Sequence, residues 1–278
     1  MKILSILLLL LFIIRKDAII LGSVTALNLW TNNLFPLLFP TFILSDFLLS
    51  SGIVDIISNK FGTLFSKIFK TSKYGLYIFL IGTLCGSPTN AKNIANLYNN
   101  KLISDSEVNK FLLFSSLFNP FLIITFGGIK VLLIFWNENI INSFLYRNIY
   151  QSNDISFNSI KRNNFNLSNS INSNITILLS ILGTVTIFSC IIYGLSFNVN
   201  LKLLFSLLFE LTNSINLIKV FFESNTYLYL IAYSLGGLSI FIQIKSILKD
   251  TFINYKLLLF NRCSLALISV ILNFCFIT

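Results

Sequence analysis

The most constraining feature of this sequence is a run of 23 residues, Ile175–Phe197, that contains no charged side chain. About 20 apolar residues in a helix are enough to cross the hydrocarbon core of a bilayer. Two further uncharged stretches occupy Ala18–Ser45 and Tyr227–Ile244, and the apolar run Leu257–Ile277 carries a single charge. Mean hydropathy is +0.82 and charged residues make up 11% of the chain, against about 25% in soluble domains. The sequence therefore predicts an all-α, polytopic helical membrane protein.

The charge and the residue usage argue against several classes of function. The net charge of +10 comes from Lys and Arg scattered along the apolar segments and their flanks, a pattern typical of membrane proteins facing anionic lipid, so no nucleic acid is predicted as a partner. Histidine is absent and the four cysteines have no CxxC spacing, so we expect neither a metal nor a cofactor. With no nucleophile–base pair in the sequence, we do not predict an enzyme.

The first 50 residues contain two apolar segments. Met1–Ile14 resembles a signal peptide, but the charges that follow interrupt the apolar run before a weak cleavage site, so we predict an uncleaved first helix. Prolines interrupt the next stretch. They predict one helix over Ala18–Trp30, with Trp30 at the membrane interface, and a second over Leu34–Leu49, bent near Pro40-Thr41.

The chain is predicted to divide into two membrane halves, residues 1–136 and 175–278, joined by a polar connector rich in Asn and Ser at 137–174. The N-terminal half is expected to contain an amphipathic helix over 53–70, a helical hairpin over 74–104 and a helix over 107–136. The amphipathic helix either lies in the headgroup plane or packs on the bundle as a linker. A break at Asn119-Pro120 and a glycine pair at 127–128 interrupt the last helix. The pattern leaves open whether 129–136 continues it or begins a second crossing.

The stretch Gly82–Lys92 predicts a helix that ends, turns and starts again. Its glycines free the backbone, and Pro88 suits the first turn of a new helix. Ser87 or Thr89 is expected near the cap of that helix, whose free N–H groups would point at the turn. At membrane depth, broken backbone is tolerated only inside protein or beside a wet cavity, so this turn indicates a ligand site.

The same order of features recurs in the second half. Each half is predicted to contain a broken membrane helix, at Pro40-Thr41 and at Glu210–Asn213, and then a glycine-turn hairpin, at Gly86 and at Gly236-Gly237. An apolar helix with an asparagine follows in both. Repeats with paired broken helices are a sequence pointer to a secondary transporter with its substrate near the midplane. Tight helix packing also uses glycine, and that alternative remains open.

Glu210 is the leading candidate for a solute-binding side chain. A carboxylate in an apolar stretch costs about 3 kcal/mol and is kept when it binds, pairs or protonates. A structural pair with Lys202 or Lys245 is the alternative. The other predicted substrate-binding side chains lie at or near the interruptions and offer hydroxyls and amides, with helix capping as the competing role at the first turn. They are Ser87, Thr89, Asn90, Thr212, Asn213, Ser239, Gln243, Asn119 and Thr41.

Several motifs carry a resemblance to a known family. They read Gly86-Ser87-Pro88-Thr89-Asn90-Ala91-Lys92, then Leu97-Tyr98, Ile103-Ser104-x-x-Glu107 and Phe114-Ser115-x-x-x-Asn119-Pro120. Together with Leu34-Phe35-Pro36-x-Leu38-Phe39-Pro40, Glu210-Leu211-Thr212-Asn213 and Gly236-Gly237-Leu238-Ser239-x-x-x-Gln243, they resemble the YlbJ-type sporulation integral membrane proteins of the nucleoside-recognition (Gate) domain group. The resemblance covers nearly the whole chain. Asn90 and Ser87 depart from the family pattern, and because they shape the turn, the resemblance does not fix the substrate.

The resemblance implies a fold similar to that of concentrative nucleoside transporters, which hold substrate between two re-entrant hairpins and two unwound helices. Sporulation members of the family are thought to move dipicolinate, a small aromatic dicarboxylate, towards the developing spore. We therefore predict a transporter of a small polar or anionic solute, nucleoside-like or a dicarboxylate, that works by alternating access.

The predicted location is the bacterial cell membrane, or the outer forespore membrane in a sporulating host. The alternative function is that of a non-transporting membrane protein required for spore-envelope or cortex assembly. Expected partners are the small-molecule solute, the lipid bilayer and a coupling cation or proton. The sequence is also compatible with a homo-oligomer.

Overall fold

The computed structural model describes residues 2–114, 116–150, 165–195, 198–223 and 225–277. The described residues contain no strand, and their all-helical character confirms the predicted class. The helices are α1 (Lys2–Ile14), α2 (Lys16–Leu29), α3 (Phe35–Ser50), α4 (Ile53–Phe69), α5 (Tyr74–Cys85), α6 (Ser87–Asn99), α7 (Asp105–Phe114), α8 (Pro120–Leu145), α9 (Leu167–Leu195), α10 (Val199–Phe209), α11 (Leu211–Phe221), α12 (Thr226–Leu235), α13 (Gly237–Ile247) and α14 (Tyr255–Ile277).

Five helical stretches in the described residues are long and apolar enough to cross a membrane. Large apolar side chains are exposed along their outer sides, as a lipid-facing surface requires. The most enclosed stretch, made of α12 and α13, is 61% buried, whereas the first is 28% buried. The five stretches are Lys16–Ser50, Pro120–Leu145, Leu167–Leu195, Thr226–Ile247 and Tyr255–Asn273.

The first of these stretches is one continuous helical rod, so the predicted split between Trp30 and Leu34 is wrong. A π-helical turn, Trp30–Leu34, joins α2 to α3, and α3 continues through Pro40. Proline cannot donate a backbone hydrogen bond, yet the helix continues through it, and the Thr41 hydroxyl donates to the carbonyls of Leu37 and Leu38 in the preceding turn at 3.2 and 2.9 Å. Pro40-Thr41 is therefore not a broken helix.

The indole of Trp30 binds inside the bundle. Its Nε1 donates to the Leu178 carbonyl of α9 at 3.1 Å. Nearby, α2 and α9 pack closely because Gly22 has no side chain: a Cβ there would lie 2.8 Å from the Ser189 carbonyl oxygen. Trp30, which was expected at the membrane interface, instead fixes the first crossing against α9.

The chain reverses at Gly128, which lies within α8. Gly128 has φ 79° and ψ 177°, which breaks the helix. On one side of the bundle, Lys110 Nζ donates to the carbonyls of Tyr146 and Arg147 at 3.0 and 2.7 Å, beyond the end of α8. Ser143 Oγ donates to the Phe114 carbonyl at 3.3 Å. Helix α7 and residues 120–127 are therefore antiparallel to residues 129–145, so 129–136 begins a segment that runs back across the bundle, and Pro120–Leu145 is not one straight crossing.

The helices also extend into the predicted connector, of which residues 151–164 lie outside the described residues. Helix α8 runs to Leu145 and α9 starts at Leu167. Polar residues in both extensions are buried, among them Asn139, Asn142 and Asn174. The Asn- and Ser-rich composition predicts an exposed loop, but these three asparagines lie buried between packed helices.

Helices α5 and α6 form a hairpin whose turn is Gly86. The Tyr77 hydroxyl of the first arm donates to Asn93 Oδ1 of the second at 2.7 Å. The second arm leads through a short turn to α7, on the side of the bundle where Lys110 binds the end of α8. We call this the first side, and the side of the Gly128 turn the second side.

Helices α10 and α11 form another hairpin, which enters from the second side. Lys202 at the start of α10 lies 3.7 Å from the ring centroid of Tyr193, near the end of α9. Lys219 at the end of α11 lies 5.2 Å from the ring centroid of Phe126, next to the Gly128 turn. Both ends of the pair are thus on the second side, and the chain turns back at Glu210. Each arm has 11 residues, about 16 Å of helix, or half of a bilayer core.

Helices α12 and α13 together make a crossing that is broken at Gly236-Gly237. The crossing starts on the second side, and the segment that follows α13 lies on the first, where Asn109 of α7 donates to the Phe252 carbonyl at 2.7 Å. The sequence prediction had these roles exchanged, with a broken crossing at Glu210 and a hairpin at Gly236-Gly237. In the sequence, a polar or glycine interruption of an apolar run has the same appearance in a hairpin and in a broken crossing. Only the packing of the flanking helix ends distinguishes the two.

Candidate functional site

The tip of the first hairpin packs on the break between α7 and α8. Gly86 has φ 86° and ψ −178°, a conformation reserved for glycine. A Cβ on Gly86 would collide with the backbone N of Asn119, so the tip and the break touch through their main chains. Asn119 Oδ1 accepts from Phe121 N at 2.9 Å and caps the resumed helix, which Pro120 begins.

The tip of the second hairpin packs in the same way on the break between α12 and α13. A Cβ on Gly237 would lie 2.9 Å from Glu210 N. Glu210 has extended backbone angles, and its Oε2 accepts from Thr212 Oγ1 at 2.6 Å and Asn213 N at 2.7 Å. The carboxylate therefore caps α11 while being only 2% exposed. No ion pair to Lys202 or Lys245 is recorded among the described residues.

A cavity of about 40 Å³ lies where these hairpin tips and breaks meet. Four of the predicted substrate-binding side chains line it: Glu210, Thr212, Asn119 and Gln243. Most of the remaining wall is apolar, from Leu34 and Leu38 of the first crossing to Phe118, Ile181 and Ile240, with Cys85 and Pro88 from the first hairpin tip. The geometry thus gathers residues that are up to 209 positions apart (Leu34 to Gln243) around one small space.

The other predicted site residues lie outside this lining. Asn213 Nδ2 donates to Ser189 Oγ at 2.5 Å and fixes α11 to α9. The Thr89 hydroxyl is 3.5 Å from the Cys85 carbonyl of the preceding arm. Thr41 binds the carbonyls of its own helix and faces none of the cavity wall. Ser87 is buried at the tip of the first hairpin.

Several buried side chains around the interruptions have polar atoms without a hydrogen-bond partner. They belong to residues at or just after the two tips and breaks, each at most 4% exposed. An unsatisfied buried polar atom costs about 1–3 kcal/mol, and native proteins rarely leave several together without a role. The atoms are Asn90 Nδ2 and Oδ1, Asn119 Nδ2, Ser239 Oγ and Gln243 Oε1. Of these residues, Asn119 and Gln243 line the cavity, whereas Asn90 and Ser239 are not among its lining residues.

Lys92, the cation nearest to the first turn in sequence, is held in an ion pair. Its Nζ lies 2.5 Å from Asp46 Oδ1 and 2.8 Å from Asn174 Oδ1. Ser170 Oγ also donates to Asp46, at 2.6 Å. The network connects α3, α6 and α9, so Asp46 is a structural partner of the first hairpin.

The sequence prediction missed a second buried carboxylate, Glu138. It is 0% exposed, accepts from Ser234 Oγ at 2.8 Å through Oε1, and has no partner on Oε2. Arg262, also buried, donates to the Ser116 carbonyl at 3.2 Å and lies 5.4 Å from the Phe118 ring centroid, behind the cavity wall. A carboxylate in an apolar stretch indicates a functional role for Glu138 as it does for Glu210. The predicted N-terminal half ends at residue 136, however, so Glu138 falls in the predicted polar connector.

The long apolar helices and their exposed apolar faces define an integral, polytopic helical membrane protein. Over 110 residues the chain is 33% identical to the protein named "Sporulation integral membrane protein YlbJ" of Bacillus subtilis (strain 168). The matched stretch is 40% of this chain and 26% of that protein. No family model matches the sequence, and no solved structure matches it. The chain is thus distantly YlbJ-like, as the motifs around Gly86 and Asn119 predict.

Proposed function

We propose that this protein is a secondary transporter that carries a small polar or anionic solute across the membrane by alternating access. The observation that carries the proposal is the meeting of two hairpin tips and two helix breaks at one cavity. Backbone that leaves the helix inside a bilayer is tolerated where it lines a binding cavity, and transporters place substrate between such half-helix ends.

The order and direction of the elements support two halves of inverted topology. In the first half, a hairpin from the first side precedes a broken crossing, 105–127, and an unbroken one, 129–145. In the second half, a hairpin from the second side precedes a broken crossing, 226–247, and the unbroken α14. The long crossing Lys16–Ser50 precedes the first set of elements, and the long crossing α9 precedes the second. This inverted pairing is the arrangement expected for alternating access, and it supports the resemblance to the Gate domain group and to concentrative nucleoside transporters.

The site favours a solute that both donates and accepts hydrogen bonds. Three helices, α6, α8 and α11, begin at the cavity, and helix N-termini favour acceptors and anions. Glu210 and Gln243 Oε1 favour donors. A nucleoside-like solute meets both demands. A dicarboxylate such as dipicolinate meets the helix ends but faces Glu210, and it would need a coupled proton or cation to offset that charge.

Flux through reconstituted vesicles tests the proposal. Radiolabelled uridine and dipicolinate serve as probes with wild type, Glu210→Gln and a matched control, Glu223→Gln, in the exposed turn after α11. We expect Glu210→Gln to lower flux by at least about 10-fold, the effect of losing one charge-assisted hydrogen bond, and the control to match wild type. Equal flux in wild type and Glu210→Gln would remove Glu210 from the site.

The name of the relative favours one second candidate, a non-transporting role in spore-envelope or cortex assembly, because that name records sporulation and membrane insertion and no solute. In that case the breaks serve only to pack helices. A sporulating host lacking the protein would then regain normal spores from Glu210→Gln as fully as from wild type, and vesicles would carry neither probe. Localising the protein in the same complemented strain would show whether it lies in the cell membrane or in the outer forespore membrane.

A further inference from the structure

A second cavity, of about 310 Å³, lies between α6, α9 and α13. Its polar wall comes from amide and hydroxyl side chains of all three helices: Asn96, Asn99, Thr176, Ser180, Gln243 and Ser246. We call it the vestibule. Because α6 and α13 both end on the first side of the bundle, the vestibule belongs to that side, and the site at the breaks lies deeper.

The volumes of the two cavities decide which one can hold a solute in this conformation. Small-molecule pockets have volumes of about 300–1,000 Å³, and one water needs about 10–15 Å³. The vestibule reaches the lower end of the first range. The inner cavity, at about 40 Å³, has room for a few water-sized groups only. The conformation is therefore one in which a solute can enter the vestibule while the inner site is contracted.

Two residues, Ile181 and Gln243, line both cavities and separate them. Gln243 Nε2 of α13 donates to Thr184 Oγ1 of α9 at 3.0 Å. Gln243 is 4% exposed, and its Oε1 has no hydrogen-bond partner. The side chains shared by the two cavities are thus one apolar residue and one amide, which a hydrogen bond to Thr184, outside both linings, holds against α9, and whose free acceptor an arriving donor would satisfy.

The charge of the vestibule is compensated. Lys92 is the one charged residue among its lining residues, and Asp46 neutralises it at 2.5 Å. The remaining polar groups are neutral donors and acceptors. A solute would therefore be held there by hydrogen bonds, without a counter-charge to attract a dianion.

We propose that the vestibule is a first binding site for a neutral, hydrogen-bonding solute, and that the Gln243–Thr184 bond is the gate between it and the inner cavity. This inference rests on the proposed transport function. Gln243 acts as the movable side of the gate, since the arriving solute can replace Thr184 as its partner and supply the donor that Oε1 lacks. Opening the bond then joins the two cavities.

Cys85 provides a native reporter of the gate, because it lines the inner cavity and is 1% exposed. The full chain, in detergent or nanodiscs, is treated with a small, charged methanethiosulfonate reagent, and each cysteine is followed by peptide mass spectrometry. Thr184→Val removes the gate bond at similar volume. The control is Thr25→Val on α2, which removes a hydroxyl that binds its own helix, through the Leu21 carbonyl, and lies in the lining of neither cavity.

We expect Cys85 to react roughly 2- to 10-fold faster in Thr184→Val, the effect of losing one net hydrogen bond, and at the wild-type rate in Thr25→Val. Cys190 is buried between α9 and α2 away from both cavities, and its unchanged protection confirms that the variants are folded. Adding uridine, a neutral probe, should slow the reaction of Ser180→Cys in the vestibule, whereas dipicolinate should not.

Two results would overturn the inference. One is an unchanged Cys85 rate in Thr184→Val with Cys190 still protected. The other is a Ser180→Cys that reacts no faster than Leu179→Cys, a neighbouring position that is 54% exposed on the outer surface, because a dry vestibule cannot admit solute. Neither result depends on flux. Vesicles that transport with an insensitive Cys85 would reject the gate alone, and a responsive Cys85 without flux would reject transport alone.

Discussion

Each of the two contacts between a hairpin tip and a helix break combines one glycine with one capping side chain, but the two contacts place them on opposite partners. In the first contact, the glycine is on the hairpin (Gly86) and the capping side chain is on the broken crossing (Asn119). In the second, the capping side chain is on the hairpin (Glu210) and the glycine is on the broken crossing (Gly237). Close approach of two main chains needs one glycine, and a resumed helix needs one side-chain cap. Either partner can supply either part.

The contacts differ in charge. The cap of the first is a neutral amide, and that of the second is a carboxylate, although both are about 2% exposed. A neutral amide costs less to bury than a carboxylate, and a buried carboxylate is retained mainly where its charge is used. We therefore expect the second contact to contribute more to solute binding than the first.

The largest expected effect comes from adding a side chain at the first tip. Gly86→Ala meets both a glycine-only backbone conformation, which costs about 1–3 kcal/mol, and a clash with the main chain at Asn119, which adds about as much again. We expect a large drop in the thermal midpoint of the purified protein. Gly128→Ala separates the two costs, since Gly128 has nearly the same angles but no atom within 4 Å of the added carbon.

The result for Gly128→Ala should lie between Gly86→Ala and a third variant, Gly183→Ala, which has free space and sits in a regular helix. Gly183→Ala should leave the midpoint unchanged or raise it by the equivalent of up to about 1 kcal/mol. Equal midpoints for the Gly86 and Gly128 variants would contradict the close approach of the tip to Asn119.

The anchors of the two hairpins give the next largest effect. The first is held by the Lys92–Asp46 ion pair and the second by the neutral Asn213–Ser189 hydrogen bond. Asp46→Ala leaves a cation nearly buried, and we expect a loss of about 2–3 kcal/mol, below the 3–5 of a fully buried pair because each side chain keeps 12–15% exposure. Ser189→Ala should cost about 1–2 kcal/mol. Thermal denaturation of both variants tests this order of stability losses. A larger loss of stability in Ser189→Ala than in Asp46→Ala would contradict it.

The smallest effect on stability, but the sharpest test of the comparison, concerns the caps. Asn119→Ala removes the cap at the cavity, and Asn225→Ala removes the cap of α12 at the exposed turn, where Oδ1 accepts from Tyr227 N at 3.0 Å. Each should cost about 1 kcal/mol. In the vesicle flux measurement, Asn119→Ala should also lower transport, because its amide lines the cavity, while Asn225→Ala should not. Parallel losses of flux in both variants would indicate that stability alone is responsible.

Several elements could be predicted because their causes are local. Glycine, proline and charge inside apolar runs placed the interruptions at Gly86, Asn119, Glu210 and Gly236, and all four are interruptions in the structure. The prediction was wrong at Pro40, because α3 continues through that proline, and at the split before Leu34, because a π-helical turn over Trp30–Leu34 joins α2 to α3. Of the ten predicted site residues, the cavity lining gathers four, because facing a cavity depends on helix rotation, which packing against other helices sets.

The sequence by itself determined that the chain resides in a membrane and where its helices break, since both follow from the short-range chemistry of each segment. Only the tertiary structure decided which break turns the chain back. An 11-residue apolar helix satisfies its own backbone equally well whether the next one continues or reverses. Contacts far apart in sequence decide it: Lys219 against Phe126 returns α11 to its starting side, and Asn109 bound to Phe252 carries α13 across.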